Sequence, residues 1–505
     1  MKQYVIGLDN GGTMSKAAVY DLKGNEIAVS SVKTPMYQPQ PGFTERDCEE
    51  MWAANCKSIR DVLAKSGISP DDVLGIAATG HGNGLYLCDA DGKQTYNGII
   101  STDSRGKEAA VEWNENGLHA ATLDRTMQSV WEGQPTTILK WFQKYRPDVL
   151  EKTRWVFMCK DYIRFRLTGE AYGEITDMSG CSLMNVRDVC YDRELLEEMG
   201  LDDIYDKLPP LRYAGEICGY ITEEAAALTG LNPGTPVAGG TMDIHASAMA
   251  VGTTDVDTMC VVAGTWSINE YISKTPVTDM DLFMTSIYQI PGYWMIMEGS
   301  PTSASNLEWF LTEILQDVDL HSKDVYEYSN DCVELAGEAD CGLTFLPFLF
   351  GSNADINAKG VFIGLQSWHN RDNMLRSVYE GIVFSHRRHI EKLLRFREAP
   401  KVIRMAGGVA KSKIWVQMFA DVLQVPIEVA RSQELGALGS AMCAAVAAGA
   451  FDSYKDACDS MVHIMYTAQP DPTKKAVYDK KYARFQKLIE TLDPVWGELY
   501  GTDAD

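Results

Sequence analysis

Two glycine turns, each set between runs of strand-forming residues, offer the first chemistry. Asp9-Asn10-Gly11-Gly12-Thr13 joins the apolar run Tyr4–Asp9 to Ala17–Tyr20, and Gly264-Thr265 joins Met259–Ala263 to Ser267–Ile272. A glycine turn lets backbone N–H groups approach phosphate oxygens, and a threonine hydroxyl adds a donor. Asp9, at the end of its strand, is placed to orient hydrated Mg²⁺. Either turn alone reads better as an ordinary hairpin, because Asn-Gly is a common turn signal that exploits positive φ. Two such turns opening two halves favour phosphate binding.

Three further segments carry candidate groups. Gly239-Gly240-Thr241-Met242-Asp243 puts a carboxylate beyond a glycine pair that can bring backbone close to a ligand. Asp243 could take the proton of a hydroxyl that attacks phosphorus, or simply cap the Ile244–Val251 helix. Ala406-Gly407-Gly408, before a helix that Ser412 can help to cap, leaves room for a flat base or is a plain strand–helix turn. Glu434, Gly436, Ala437 and Gly439 are expected to pack behind this turn. His81 lies in Gly80-His81-Gly82-Asn83-Gly84 at the end of the strand Val73–Thr79, where α/β proteins hold ligands. Ligand contact and structural turn are equally open there. His386 and His389, with Arg387 and Arg388 between them, read as a solvated basic face.

The elements that must position these groups follow from periodicity and punctuation. An antiparallel meander (Tyr4–Asp9, Ala17–Tyr20, Glu26–Val32) leads to a helix at about Cys48–Lys65, with Met51, Trp52, Cys56, Ile59 and Leu63 at helical spacing. Residues 104–228 are mostly helical. The second half repeats the strand, Gly/Thr turn, strand order. It continues through a strand at Leu343–Phe350, a helix at about Asn373–Phe396, a strand at Val402–Met405 and a helix at Ala437–Ala448. The repeat implies two related domains, 1–252 and 253–505.

Composition narrows the class. Of 505 residues, 46 are Lys or Arg and 70 are Asp or Glu, a net charge of −24. Such a chain is a poor binder of nucleic acid or of anionic membranes, because both rest on Lys and Arg. The hydrophobic share of 45% and aromatic share of 10% suit a folded, cytoplasmic protein. No apolar stretch reaches the length of a membrane span. Twelve scattered cysteines without a Cys-x-x-Cys argue for free thiols, with Cys332 and Cys341 as one conceivable pair. A P-loop is absent. If the substrate is anionic, backbone amides or a metal must overcome the global charge.

These segments, in this order, resemble the FGGY family of carbohydrate kinases. Asp9–Thr13 and Gly264-Thr265 match its phosphate motifs, Gly240 and Asp243 its Gly-x-x-Asp, and Gly407-Gly408 with Ser412, Trp415 and Gln417 its adenosine-side motif. Lys160-Asp161-Tyr162, Gly360–Leu365, His369, Arg371 and Glu380-Gly381 match further signatures. Asp103 and Arg105 match an Asp-x-Arg that meets the sugar. The subgroup most resembled is the bacterial L-xylulose kinases, through Gln40–Asp47, Ser300–Ser303 and Phe345–Ala354. His81 and Asn83 depart from that subgroup, and His81 is similar to the His of D-xylulose kinases.

The resemblance implies an α/β fold of two ribonuclease-H-like domains of the actin/hexokinase/Hsp70 ATPase type, with ATP and sugar in the cleft between them. It implies ATP and Mg²⁺ as cofactors, Asp243 as catalytic base, and Asp9 with Asp243 as metal ligands. ATP would be held by Asp9, Gly11, Gly12, Thr13, Gly264, Thr265, Gly407, Gly408 and Ser412. The sugar would meet His81, Asp103, Arg105, Trp131 and Asp243. L-xylulose is the leading substrate, with D-xylulose, a sugar acid, erythritol or glycerol as family alternatives. A homodimer is compatible with the resemblance. A non-catalytic actin-fold ATPase or a sugar-binding regulator is the rival reading, and it would not need Asp243.

Overall fold

The computed structural model describes residues 3–316, 318, 320, 323–352 and 357–500. Asn353 and Ala354, part of the Phe345–Ala354 resemblance, lie outside the described residues. The chain forms two compact units. The first comprises residues 1–255, 272–296 and 431–463; the second comprises 256–271, 297–430 and 464–505.

The first unit is built on a sheet whose centre is the N-terminal meander. Strands β1 (Tyr4–Asn10), β2 (Met14–Asp21) and β3 (Glu26–Lys33) pair antiparallel in sequence order. On its other side β1 pairs in parallel with β4 (Val73–Gly80). The sheet continues to β6 (Pro236–Ala238) and β5 (Ile217–Tyr220), and the short β7 (Thr241–Met242) also pairs in parallel with β4. Helix α1 (Cys48–Ser66) starts at Asp47, whose side chain accepts the Glu50 N–H, and stops at Gly67 in the left-handed region. Its apolar stripe of Met51, Cys56, Ile59 and Val62 joins Ile6, Leu8, Val19 and Ile76 in one buried core. Residues 104–228 supply helices and a second core around Leu139, Phe142, Met158 and Leu196, with short strand pairs between them.

The second unit repeats this plan. Strand β8 (Thr258–Ala263) pairs antiparallel with β9 (Ser267–Ser273) and in parallel with β11 (Val402–Ala406). The order β10 (Trp294–Ser300), β9, β8, β11, β12 (Ile427–Ala430), β13 (Ile464–Ala468) completes this run of the sheet. In both sheets one strand has an antiparallel hairpin partner on one side and a parallel neighbour on the other. That shared pattern is the two-domain α/β architecture the repeat implied.

Several expectations change. The strand expected at Leu343–Phe350 is only Thr344–Leu346, because Pro347 interrupts the ladder. His386 and His389 do not form a solvated face. His386 is fully buried and meets Asn269 Oδ1 at 2.8 Å and Ser303 Oγ at 2.9 Å, while His389 Nδ1 lies 2.8 Å from Glu298 Oε2. Three residues apart, they share the inner face of the helix Arg371–Leu393, and Arg387 and Arg388 are half-buried beside them. All twelve cysteines are free thiols, so Cys332 and Cys341 do not pair.

Candidate active site

Parallel strands bring three candidate residues to one edge of the first sheet. Asp9 stands opposite Thr79 across β1 and β4, and Thr241 stands opposite Thr79 across β7 and β4. Asp243 follows β7 directly and His81 follows β4 directly, so Asp9, His81 and Asp243 all sit at carboxyl ends of parallel strands.

Asp243 is the first residue of the helix Asp243–Ala250 rather than its cap; the cap position is Met242. Its Oδ1 accepts the Ile244 N–H at 2.8 Å. Burial, and next the charge of Asp9, push its pKa up to about 7. Burial likewise pushes Asp9 up to about 6, opposed by Lys16. Lys16 is itself paired with Glu434 at 2.7 Å. Two nearby carboxyls, both above their ordinary value, are groups that a cation would convert to a fully ionised pair.

The support beneath Asp243 is rigid. Gly240 has φ of +75°, and a Cβ there would lie 1.9 Å from Ala78 O. The glycine pair therefore brings backbone against backbone, where a ligand had been expected. Thr79 Oγ1 donates to Thr241 O at 2.6 Å, and Met242 N–H donates to Thr176 Oγ1 at 3.0 Å. Arg164 Nη1 donates to Gly239 O at 2.8 Å. Arg164 belongs to a fully buried charge cluster in which Lys160 lies 3.1–3.2 Å from Asp161, Glu174 and Asp177. Lys160-Asp161 was visible as a signature. Its task of bracing the Asp243 segment was not, because Glu174 and Asp177 arrive from another element.

The turn Gly11–Thr13 needs no positive φ at any of its residues, contrary to the sequence expectation. Asn10 does not shape the turn. It is buried, and its Oδ1 accepts from Asn55 Nδ2 at 2.6 Å and Ser15 Oγ at 3.1 Å. A Cβ on Gly12 would meet nothing within 4 Å, and Thr13 is exposed. Gly436 faces Asp9, Gly439 faces Ala246, and Ala437 O lies against Gly7. The helix Leu435–Ala447 thus packs on β1 in the first unit; its small residues were expected behind Gly407-Gly408.

The sugar-facing candidates separate. His81 is buried; its Nε2 lies 2.9 Å from Tyr86 OH and its Nδ1 3.4 Å from Gly82 O. Burial, then the charge of Arg46, lowers its pKa to about 3, so it is neutral. Asp103 and Arg105 form a closed pair. Asp103 Oδ1 accepts from Arg105 N at 2.9 Å and Nε at 2.8 Å, and its Oδ2 accepts from Arg105 Nη2 at 2.8 Å and Thr44 N at 2.7 Å. Arg105 also meets Glu45 at 2.8 Å and stacks over Phe43 and Trp141. Both side chains are fully enclosed, and Arg105 Nη1 is left without a hydrogen-bond partner. Trp131 is half-buried, with its ring tilted against Phe283.

In the second unit, Gly407 has φ of +91°, and a Cβ there would lie 2.5 Å from Ala263 O and 3.1 Å from Gly264 N. The two motifs Gly264-Thr265 and Gly407-Gly408 are therefore neighbours. Thr265 is exposed, and its carbonyl accepts the Ser303 N–H at 3.1 Å. A Cβ on Gly264 or Gly408 would meet nothing within 4 Å. Ser412 caps the helix Lys413–Leu423 by accepting the Trp415 N–H, and it donates to Asn330 Oδ1 at 2.7 Å.

Among the described residues no group of three or more His, Cys, Asp or Glu side chains could hold a metal ion by itself. Mg²⁺ does not require one. It retains water and takes one or two carboxylates plus phosphate oxygens, which fits Asp9 beside Asp243. No helix among the described residues is long and apolar enough to cross a membrane.

Paired ribonuclease-H-like sheets, with glycine turns at their first hairpins and a carboxylate pair at the strand ends, define a phosphotransferase of the actin/hexokinase type. Models of the N-terminal and C-terminal domains of the FGGY family of carbohydrate kinases match residues 4–250 and 259–448, and the chain belongs to that family. It is an ATP-dependent sugar kinase with ATP and Mg²⁺ as cofactors. The L-xylulose/3-keto-L-gulonate kinase of Escherichia coli (strain K12) is 36% identical to it over 97% of this chain and 98% of that protein. The xylulose kinase of Rhodospirillum rubrum superposes with a TM-score of 0.89 at 27% identity, covering 98% of this chain and 100% of that one. A ligand-bound xylulose kinase from Lactobacillus acidophilus shares the fold, with a TM-score of 0.91 at 24% identity over 98% of this chain and 99% of that one.

Proposed function

We propose that this sugar kinase phosphorylates L-xylulose, with Asp243 as the general base. The observation that carries the base assignment is the Asp243 carboxyl, held by the Ile244 N–H at a strand end with a pKa of about 7. A base poised near neutral pH can take a hydroxyl proton as the oxygen attacks. In the reaction the sugar oxygen bonds to the γ-phosphorus of ATP and the bond from that phosphorus to the bridging oxygen breaks. ADP leaves, and the hydroxyl proton ends on Asp243. Asp9 and Asp243 would hold Mg²⁺, which would supply charge neutralisation on the phosphates.

The remaining roles follow the residues. Gly11, Gly12, Thr13, Gly264 and Thr265 offer amides and hydroxyls to phosphate. Gly407 and Gly408 leave space for adenosine, with Ser412 fixing the helix behind them. His81 and Trp131 shape the sugar side, while Asp103 and Arg105 position Thr44 and Phe43 from within the fold. We further propose that the functional domains divide at 252/253. The name of the Escherichia coli relative, L-xylulose/3-keto-L-gulonate kinase, supports L-xylulose and keeps a sugar acid as the alternative.

The test is ADP release with L-xylulose, D-xylulose, 3-keto-L-gulonate, erythritol and glycerol. We expect the highest kcat/KM for L-xylulose. A tenfold or greater preference for any other compound overturns the substrate assignment.

A further inference from the structure

Arg46 is fully buried immediately before α1, and no carboxylate lies within ion-pair distance of it among the described residues. Its sequence neighbours are committed elsewhere: Glu45 pairs with Arg105, and Asp47 caps α1. The guanidinium reaches the first glycine turn from behind. Nη2 donates to Gly11 O at 3.0 Å and also to Gly12 O, Nη1 lies 3.6 Å from Met51 Sδ, and Nε has no partner. A buried cation without a counter-ion is costly, so its retention calls for a ligand that completes it.

The turn shows which side that ligand takes. In a trans peptide, the C=O of one residue and the N–H of the next point in opposite directions. Fixing the Gly11 and Gly12 carbonyls on Arg46 therefore turns the Gly12 and Thr13 N–H groups away from it. Neither N–H donates to a protein acceptor among the described residues. Space is open on Gly12, and Thr13 is exposed. Two outward amides with a positive charge behind them form an anion cradle.

We propose that Arg46 is the resident counter-charge of this turn: it aims the Gly12 and Thr13 amides outward, and the terminal phosphoryl group of a bound nucleoside triphosphate completes its charge. Arg46 is thus a positioning residue acting through the turn, and the proposal rests on Gly11–Thr13 being a phosphate turn. It answers how a chain of net charge −24 accepts a polyanion.

The experiment compares Arg46→Met, Arg46→Gln and Gly12→Val with the wild-type full chain, using calorimetric titration of Mg-ATP and of adenosine together with KM for the sugar. Arg46→Gln keeps donors for the carbonyls but removes the charge. Both Arg46 variants are expected to weaken Mg-ATP by about tenfold or more, with adenosine affinity and sugar KM unchanged. A packing role alone would not separate triphosphate from adenosine. Should Arg46→Met fail to fold, Arg46→Gln decides. Wild-type Mg-ATP affinity in a folded Arg46 variant, with Gly12→Val impaired, overturns the proposal and leaves the phosphate turn standing. Unchanged Mg-ATP affinity in Gly12→Val as well as in the Arg46 variants overturns the turn itself.

Discussion

Gly436 stands against the carboxylate of Asp9: a Cβ added at Gly436 would lie 2.7 Å from Oδ2 and 2.8 Å from Cγ. The start of the helix Leu435–Ala447 is thereby a wall that sets where the Asp9 carboxylate can go. Gly436→Ala has no φ penalty, because its φ is not positive. Its effect should fall on Asp9. We expect kcat to fall by about tenfold or more, as positioning errors of this size do, with a melting temperature close to wild type. Steady-state kinetics beside a thermal melt checks this.

Removing the proposed base is the sharpest test of mechanism. Asp243→Asn keeps the size and can still accept the Ile244 N–H, but it cannot take a proton. We expect kcat to fall by about 10²–10⁴, the usual share of general base catalysis. Mg-ATP binding should persist. Turnover near the wild-type rate would move the base elsewhere.

The pH dependence has a definite sign. Asp9 and Asp243 ordinarily titrate near 3.8 but are raised to about 6 and about 7 in the fold. Below about pH 4 both are protonated, folded or unfolded. Above it, the unfolded chain releases protons that the folded state retains, so stability of the nucleotide-free protein falls as pH rises through 6 and 7. Asp243→Asn should flatten part of that fall in melts between pH 5 and 8. Activity runs the other way. The base must be ionised, so kcat/KM should rise across the same window as the pair titrates, with the acid limb moving lower when Mg-ATP is saturating.

Asp103 and Arg105 should behave as structural residues. Breaking a buried pair strands a charge, at a cost of about 3–5 kcal/mol. Asp103→Asn and Arg105→Met are each expected to lower the melting temperature clearly, while the sugar KM of the folded fraction changes little. A sugar KM raised tenfold at unchanged stability would restore their direct contact with substrate.

Local order was legible because it is written locally. The meander, α1, the glycine turns and the repeat in the second half follow from spacing and punctuation within a few residues, and Asp9 stood out as the carboxylate before a glycine turn and Asp243 as the one beyond a glycine pair. What remained hidden depends on partners far away in the chain. Nothing near Gly436 tells that it faces Asp9, and nothing near Arg46 tells that it supports the Gly11 and Gly12 carbonyls. His386 and His389 looked solvated because arginines adjoin them; Asn269, Ser303 and Glu298 take them inside.

The sequence by itself determined the family and the two sheets, and it singled out Asp243 as the carboxylate proposed as base, since each rests on short motifs with a physical reason for every residue type. Only the tertiary structure decided which polar groups stay open to a ligand. Asp103 and Arg105 bond each other with Thr44 and Glu45, and His81 meets Tyr86, whereas Thr13 and Thr265 are exposed and the amide of Gly12 meets no protein acceptor among the described residues. Availability is settled by what packs against a group, and packing is a property of the folded chain.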